Sequence, residues 1–126
     1  MIVFDTSAFL CFILDEPGAE LVEARIGDGW MSTVNMAEVV SKIVERGGDA
    51  VEANGLFAQH LTDRISDYDM GQAMETGRLR QSTIHRGLSL GDRACLALAR
   101  TLDAPVLTAD RAWTDLDIGV KIEVIR

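Results

Sequence analysis

The sequence has no long apolar run. The longest, Ala8 to Leu14, is seven residues, where a helix crossing a bilayer needs about 20. A membrane bundle is thereby excluded, and no membrane partner is expected. The first residues lack a positively charged region, and Asp5 interrupts their apolar stretch. They do not read as a secretory signal, so the expected location is cytoplasmic. Cysteine is scarce too: Cys11 and Cys95 are the only two, with no C-x-x-C pair and no histidine close by. A zinc site is therefore not expected. Both fall in apolar helical patterns and read as reduced, buried thiols. No repeat recurs and no low-complexity linker divides the chain, so one domain over residues 1–126 is expected.

Basic charge is the other shortage. Lys and Arg number 12 against 20 Asp and Glu, for a net charge of −8. A protein that coats nucleic acid by charge would be basic, because neutralising phosphates drives that affinity. An enzyme acting on nucleic acid through metal ions is not excluded, since cations bridge acidic side chains to phosphates. Lysine supplies only Lys42 and Lys121; the rest is arginine, the better fork-shaped phosphate ligand. Apolar residues at 48% and charged residues at 25% match ordinary globular chains and exclude wholesale disorder.

The apolar pattern alternates short strands with helices. Ile2-Val3-Phe4 reads as a buried parallel strand ending at Asp5. Helices follow from about Ser7 to Leu14 and from Glu20 to Ile26. Trp30 to Thr33 reads as a second strand. Asn35 then opens a helix with Val39, Val40, Ile43 and Val44 inward, closed by Gly47-Gly48. Ala50 to Leu61 and Gly71 to Arg80 form two more helices. Another begins at Ser89, with Ala94, Cys95, Ala97, Leu98 and Leu102 facing the core. Pro105 to Thr108 reads as a third strand, and Val120 to Ile125 as a final edge strand with Lys121, Glu123 and Ile125 on its outer side. This order predicts a three-layer α/β/α fold with a mostly parallel central sheet. Ligand crevices in such sheets lie beyond the carboxyl ends of the strands, where Asp5 and Asp110 fall.

Four acids stand out: Asp5 after the first strand, Glu38 in a helix start, Asp92 in a first helical turn, and Asp110 after the third strand. Each has an ordinary structural reading. Asn35-x-x-Glu38 and Ser89-x-x-Asp92 both fit capping boxes, Asp5 fits a helix N-cap, and Asp110 fits a turn. Their joint placement at one end of one sheet is harder to explain that way. Four carboxylates without counter-charge repel one another. A divalent cation relieves this, and an all-oxygen shell selects Mg²⁺, with Mn²⁺ as the second choice.

The segments Ile2-Val3-Phe4-Asp5-Thr6-Ser7, Ser32 to Glu38, Leu88 to Ala99 and Pro105 to Trp113 together resemble the PIN domain, and within it the toxin ribonucleases of the VapC type. The resemblance runs over essentially the whole chain and identifies it as a PIN-like nuclease domain. It implies a Mg²⁺-dependent endoribonuclease with RNA as substrate. It further implies the toxin of a toxin–antitoxin pair, dimeric and inhibited by a cognate VapB-like antitoxin. The family's four acids fall on Asp5, Glu38, Asp92 and Asp110. Asp5 and Asp92 match the positions most often treated as metal ligands, and Asp115 or Asp117 are alternatives at the fourth. Thr6, Ser7 and Asn35 match supporting polar residues.

Further candidates are less specific. Arg86, Arg93 and Arg111, with Arg78 and Arg80, are candidates to grip RNA phosphates; a solvated helix face is their ordinary reading. Trp30 and Trp113 read as core, with base stacking as the alternative. Met36, Met70 and Met74 read as core gap-fillers, or else as a partner groove. His60 reads as a surface helix residue. A phosphatase of the haloacid dehalogenase type is disfavoured, because it needs a second acid two residues after the first and that position is Ser7. A PIN-like module that holds RNA or protein without cutting is the alternative function.

Overall fold

Ile2, Val3 and Phe4 are wholly buried and form strand β1 (Ile2–Phe4). The computed structural model describes all 126 residues. After β1 come α1 (Thr6–Ile13), α2 (Ala19–Glu23), β2 (Gly29–Ser32), α3 (Thr33–Glu45) and α4 (Ala50–His60). Then follow β3 (Ile65–Ser66), α5 (Met70–Arg78), α6 (Arg80–Thr83), α7 (Leu90–Leu102), β4 (Val106–Thr108) and β5 (Ile122–Val124). No helix is long and apolar enough to cross a membrane.

The five strands form one sheet in the order β3-β2-β1-β4-β5, and every pairing is parallel. Val3 pairs with Trp30 on one side and Val106 on the other, so β1 is central. Alternation along the strands sends side chains to two faces. Ile2, Phe4, Met31 and Leu107 enter one cluster with Ala8, Phe9, Val39, Ala53 and Phe57 from α1, α3 and α4. Val3 and Val106 enter the other with Cys95, Leu96 and Leu98 of α7. Both faces are covered, which gives the expected three-layer α/β/α arrangement. From β1 the chain first builds outward through β2 and β3, then returns to β1's other side as β4. The β1–β4 seam is therefore the topological switch point, where a crevice opens beyond the strand ends.

Several boundaries differ from the sequence reading. The strand expected at Trp30–Thr33 is Gly29–Ser32, and α3 starts at Thr33 with Ser32 as its N-cap, accepting from the Val34 N–H. Asn35 therefore does not open this helix. The helix expected from Glu20 to Ile26 ends at Glu23, and a 3₁₀ turn occupies Ile26–Asp28. Val44, expected inward, is exposed at the end of α3, where that stripe has rotated past the core. Gly47 does follow α3 in the left-handed region, with φ of +94°, as a helix-ending glycine should.

The other differences concern single side chains. Ile125, just past β5, is buried in the first cluster with Ala19 and Val22 of α2 rather than on an outer side. Trp113 is wholly buried and cannot stack on a base, and Trp30 is half-buried against the second cluster. Met36 packs on the core, but Met70 and Met74 stand exposed on α5 and fill no gap. His60 is half-buried, edge-on to the Phe12 ring at 4.9 Å, rather than a plain surface residue.

Gly29 marks a point where two strands close without room to spare. A Cβ there would come within 2.5 Å of Phe4 Cζ, and Phe4 is locked in the core. Gly29→Ala should destabilise the fold by about 1–3 kcal/mol, as overpacking does. The measurement is a urea midpoint that falls while the m-value stays the same.

Candidate active site

Asp5 ends β1 and occupies the N-cap position of α1, yet its side chain makes no capping bond. Its Oδ2 instead accepts two hydroxyls, from Ser7 Oγ at 2.5 Å and Thr108 Oγ1 at 2.8 Å. Those hydroxyls in turn accept backbone N–H groups: Ser7 from Ala109 at 2.9 Å, and Thr108 from Asp110 at 3.0 Å. The β1–α1 turn is thereby laced to the end of β4. Asp5 is 3% exposed and has no ion-pair partner. Burial pushes its pKa up from 3.8 to about 6, against the pull of the Ser7 and Thr108 hydroxyls, with Asp92 and Glu38 adding repulsion.

Glu38 does not complete a capping box with Asn35. Because α3 begins at Thr33, Asn35 lies inside the helix and Glu38 one turn further on. Their side chains meet directly: Asn35 Nδ2 donates to Glu38 Oε1 at 2.9 Å, and Thr6 Oγ1 donates to the same oxygen at 2.6 Å. Asn35 Nδ2 also donates to the Gly91 carbonyl at 3.0 Å. Asp92, the next residue, does form the capping box. Its Oδ2 accepts the Ser89 N–H at 2.9 Å, while its own N–H donates to Ser89 Oγ at 3.2 Å. Burial raises the Asp92 pKa, with Asp110 and Glu38 adding to the rise. Asp110 caps the 3₁₀ turn Arg111–Trp113, its Oδ1 accepting the Ala112 N–H at 2.9 Å.

Hydrogen bonds and chain neighbours together link the four acids. The Asp110 N–H reaches Thr108, which donates to Asp5; the adjoining Thr6 donates to Glu38; and Asn35 ties Glu38 to the Gly91 carbonyl, next to Asp92. Each carboxylate commits one oxygen to protein donors and leaves the other without any: Asp5 Oδ1, Glu38 Oε2, Asp92 Oδ1 and Asp110 Oδ2. None of these free oxygens is fully sealed, and none of the four acids enters a salt bridge. Beneath them lies Cys95, whose thiol is held neutral by burial and by the fields of Asp5, Asp92 and Glu38.

No three His, Cys, Asp or Glu side chains close into a ready-made metal cluster. A hydrated divalent cation needs no closed cage, since it keeps several waters and takes only one or two carboxylates. The donor set is all oxygen, anionic, uncompensated and half unengaged, so the residues fit such an ion. The four acids range from buried Asp5 through half-buried Glu38 and Asp92 to exposed Asp110. The largest surface hollow, about 620 Å³ beside Glu75, Arg100 and Asp103, and the three smaller ones are lined by none of the four acids.

The remaining candidates are placed differently. Asp115 pairs with Arg86 at 3.2 Å. Neither it nor Asp117 is among the charges that raise Asp5 or Asp92. Arg93 is turned inward, donating to the Thr76 carbonyl at 3.0 Å. Arg111 donates to the Arg126 carbonyl at 2.9 Å, Arg78 pairs with Glu75, and Arg80 is exposed without a salt bridge. Sequence reasoning missed Gly91 and Thr108. Thr108 carried a signal, a hydroxyl at a strand's carboxyl end, whereas Gly91 carried none.

The PIN domain family pattern matches residues 2–119, and the chain belongs to the PIN domain family. Within it, the chain is 30% identical to Ribonuclease VapC of Mycolicibacterium smegmatis, covering 93% of this chain and 97% of that one. Among solved structures it is similar to a VapBC-5 toxin–antitoxin structure from Mycobacterium tuberculosis, with a TM-score of 0.64, 26% identity, and coverage of 98% and 96%. A toxin–antitoxin complex from Klebsiella pneumoniae shares the fold, with a TM-score of 0.74, 20% identity, and coverage of 95% of each chain.

The buried Asp5 carboxyl makes stability pH-dependent. Its folded pKa lies above its unfolded value, so between about pH 4 and 6 the folded state holds a proton that the unfolded chain has released. Stability therefore falls as pH rises through this window. The shift from 3.8 to about 6 corresponds to about 3 kcal/mol. With chelator present, Asp5→Asn should be more stable than the parent above pH 6, by on the order of 1–3 kcal/mol, and the advantage should vanish near pH 4. Paired denaturation curves across pH check this; a pH-independent difference would contradict it.

Proposed function

We propose that this chain is a divalent-cation-dependent endoribonuclease, acting as the toxin of a toxin–antitoxin pair. The observation that carries the reading is the set of four linked carboxylates, each with one anchored and one free oxygen and no cationic partner. The VapC relative supports RNA as the substrate, and the toxin–antitoxin structures support a VapB-like antitoxin as partner. A homodimer in the cytoplasm is part of the same reading.

Asp5 and Asp92 would hold Mg²⁺, or Mn²⁺ in its place, through their free oxygens, with Glu38 and Asp110 completing the shell or orienting water. When bound, such an ion supplies charge relief at the scissile phosphate and activation of water for hydrolysis. Ser7 and Thr108 fix the Asp5 carboxylate so that only Oδ1 faces outward. Thr6 and Asn35 do the same for Glu38. Asp92 and Asp110 are oriented by backbone N–H groups, so all four acids are set before substrate arrives, which removes reorganisation from the barrier. Glu38 or Asp110 would accept the proton of the attacking water. The exposed Arg80 and the Arg86–Asp115 pair lie on surfaces where RNA phosphates can compete for guanidinium groups.

The test is cleavage of RNA by the purified chain with Mg²⁺ and with chelator. Asp5→Asn and Asp92→Asn should each lower cleavage by at least about 100-fold while remaining folded. Millimolar Mg²⁺ or Mn²⁺ should raise the parent's melting temperature through binding to the folded state. Cleavage that persists in chelator or in either variant would refute the reading. RNA bound but uncut would identify a binding-only module.

A further inference from the structure

Gly91 is the second residue of α7 and is buried. A Cβ built on it would stand 2.6 Å from Glu38 Oε1 and 2.7 Å from its Cδ, and closer still to Oε2. The carboxylate therefore lies directly against the backbone of α7's first turn, in space that any side chain at position 91 would occupy. It is also held there. Asn35, wholly buried, spends its amide group on Glu38 Oε1 and the Gly91 carbonyl together. Turning that amide over would aim its oxygen at two acceptors, so the orientation is fixed by its partners. Asn35 Oδ1 is left buried and without a partner, a cost accepted for the double donation.

We propose that Gly91 is a positioning residue. Its missing side chain lets the Glu38 carboxylate lie beside Asp92, and Asn35 locks it in place by bonding both. The inference rests on the proposed cation-dependent function and adds a residue to it. The atoms a Cβ would meet are the far end of a flexible side chain, so Gly91→Ala should fold and displace Glu38 rather than the helices. Alanine also favours the helix over glycine, which offsets part of the cost of the Glu38 bonds given up.

The experiment compares the parent chain, Gly91→Ala and the control Gly77→Ala, whose added Cβ meets nothing within 4 Å. Two readouts are taken: the Mn²⁺ concentration giving half the rise in melting temperature, and the Asn35 side-chain amide signals in ¹⁵N NMR. Gly91→Ala should raise the Mn²⁺ midpoint about tenfold or more, the usual cost of losing a group that orients a ligand, and should move the Asn35 signals. Gly77→Ala should change neither. An unchanged midpoint in Gly91→Ala overturns the proposal. If the parent itself ignores Mn²⁺ and Mg²⁺, the functional reading fails, and the Asn35 signals alone decide whether Gly91 positions Glu38. Should Gly91→Ala not fold, Asn35→Ala replaces it: a tenfold loss supports the lock, and an unchanged midpoint refutes it.

Discussion

A carboxylate buried at the end of the central strand, with no cation beside it, is the constraint around which this molecule is arranged. Asp5 sits where the chain leaves β1, and burial, with added repulsion from Asp92 and Glu38, lifts its pKa to about 6. Only two hydroxyls support the charge, and each comes from a segment the fold must bring to the same seam. Ser7 stands in the first turn of α1, and Thr108 ends β4. The same contacts that close the switch point of the sheet therefore also aim Asp5. Removing charge there should favour folding, so the ionised acid adds no stability of its own.

The ordinary and the functional readings of the acids turn out to be compatible. Asp92 completes a capping box and Asp110 caps a 3₁₀ turn, each with one oxygen. A carboxylate has two, and the second remains for chemistry. Capping fixes the side chain's direction, so the structural bond serves the open oxygen. Glu38 reaches the same outcome by another route, through two side-chain donors rather than backbone.

Much of this was legible in the sequence, for physical reasons. Buried parallel strands are unbroken apolar runs, so Ile2–Phe4 and Val106–Thr108 announced themselves, and the acids just beyond them followed. Strand β3 did not, because Ile65–Ser66 is two half-buried residues with no period to detect. The start of α3 was misplaced because Asn35 looks like a cap, whereas its amide is claimed by Glu38 and Gly91. Such a contact depends on tertiary packing that local pattern cannot report. Gly91 was invisible for the same reason: its constraint comes from a side chain on another helix. Met70 and Met74 show the converse: methionine's apolar, flexible side chain suggested a core gap-filler, but both stand exposed on α5.

The most direct measurement is anomalous diffraction at the manganese edge from crystals of the chain grown with Mn²⁺. A single or paired peak within coordination distance of Asp5 Oδ1 and Asp92 Oδ1 is predicted, with the anchored oxygens still on their hydroxyl and amide donors. A map with no peak at these oxygens, despite saturating Mn²⁺, would contradict the central claim.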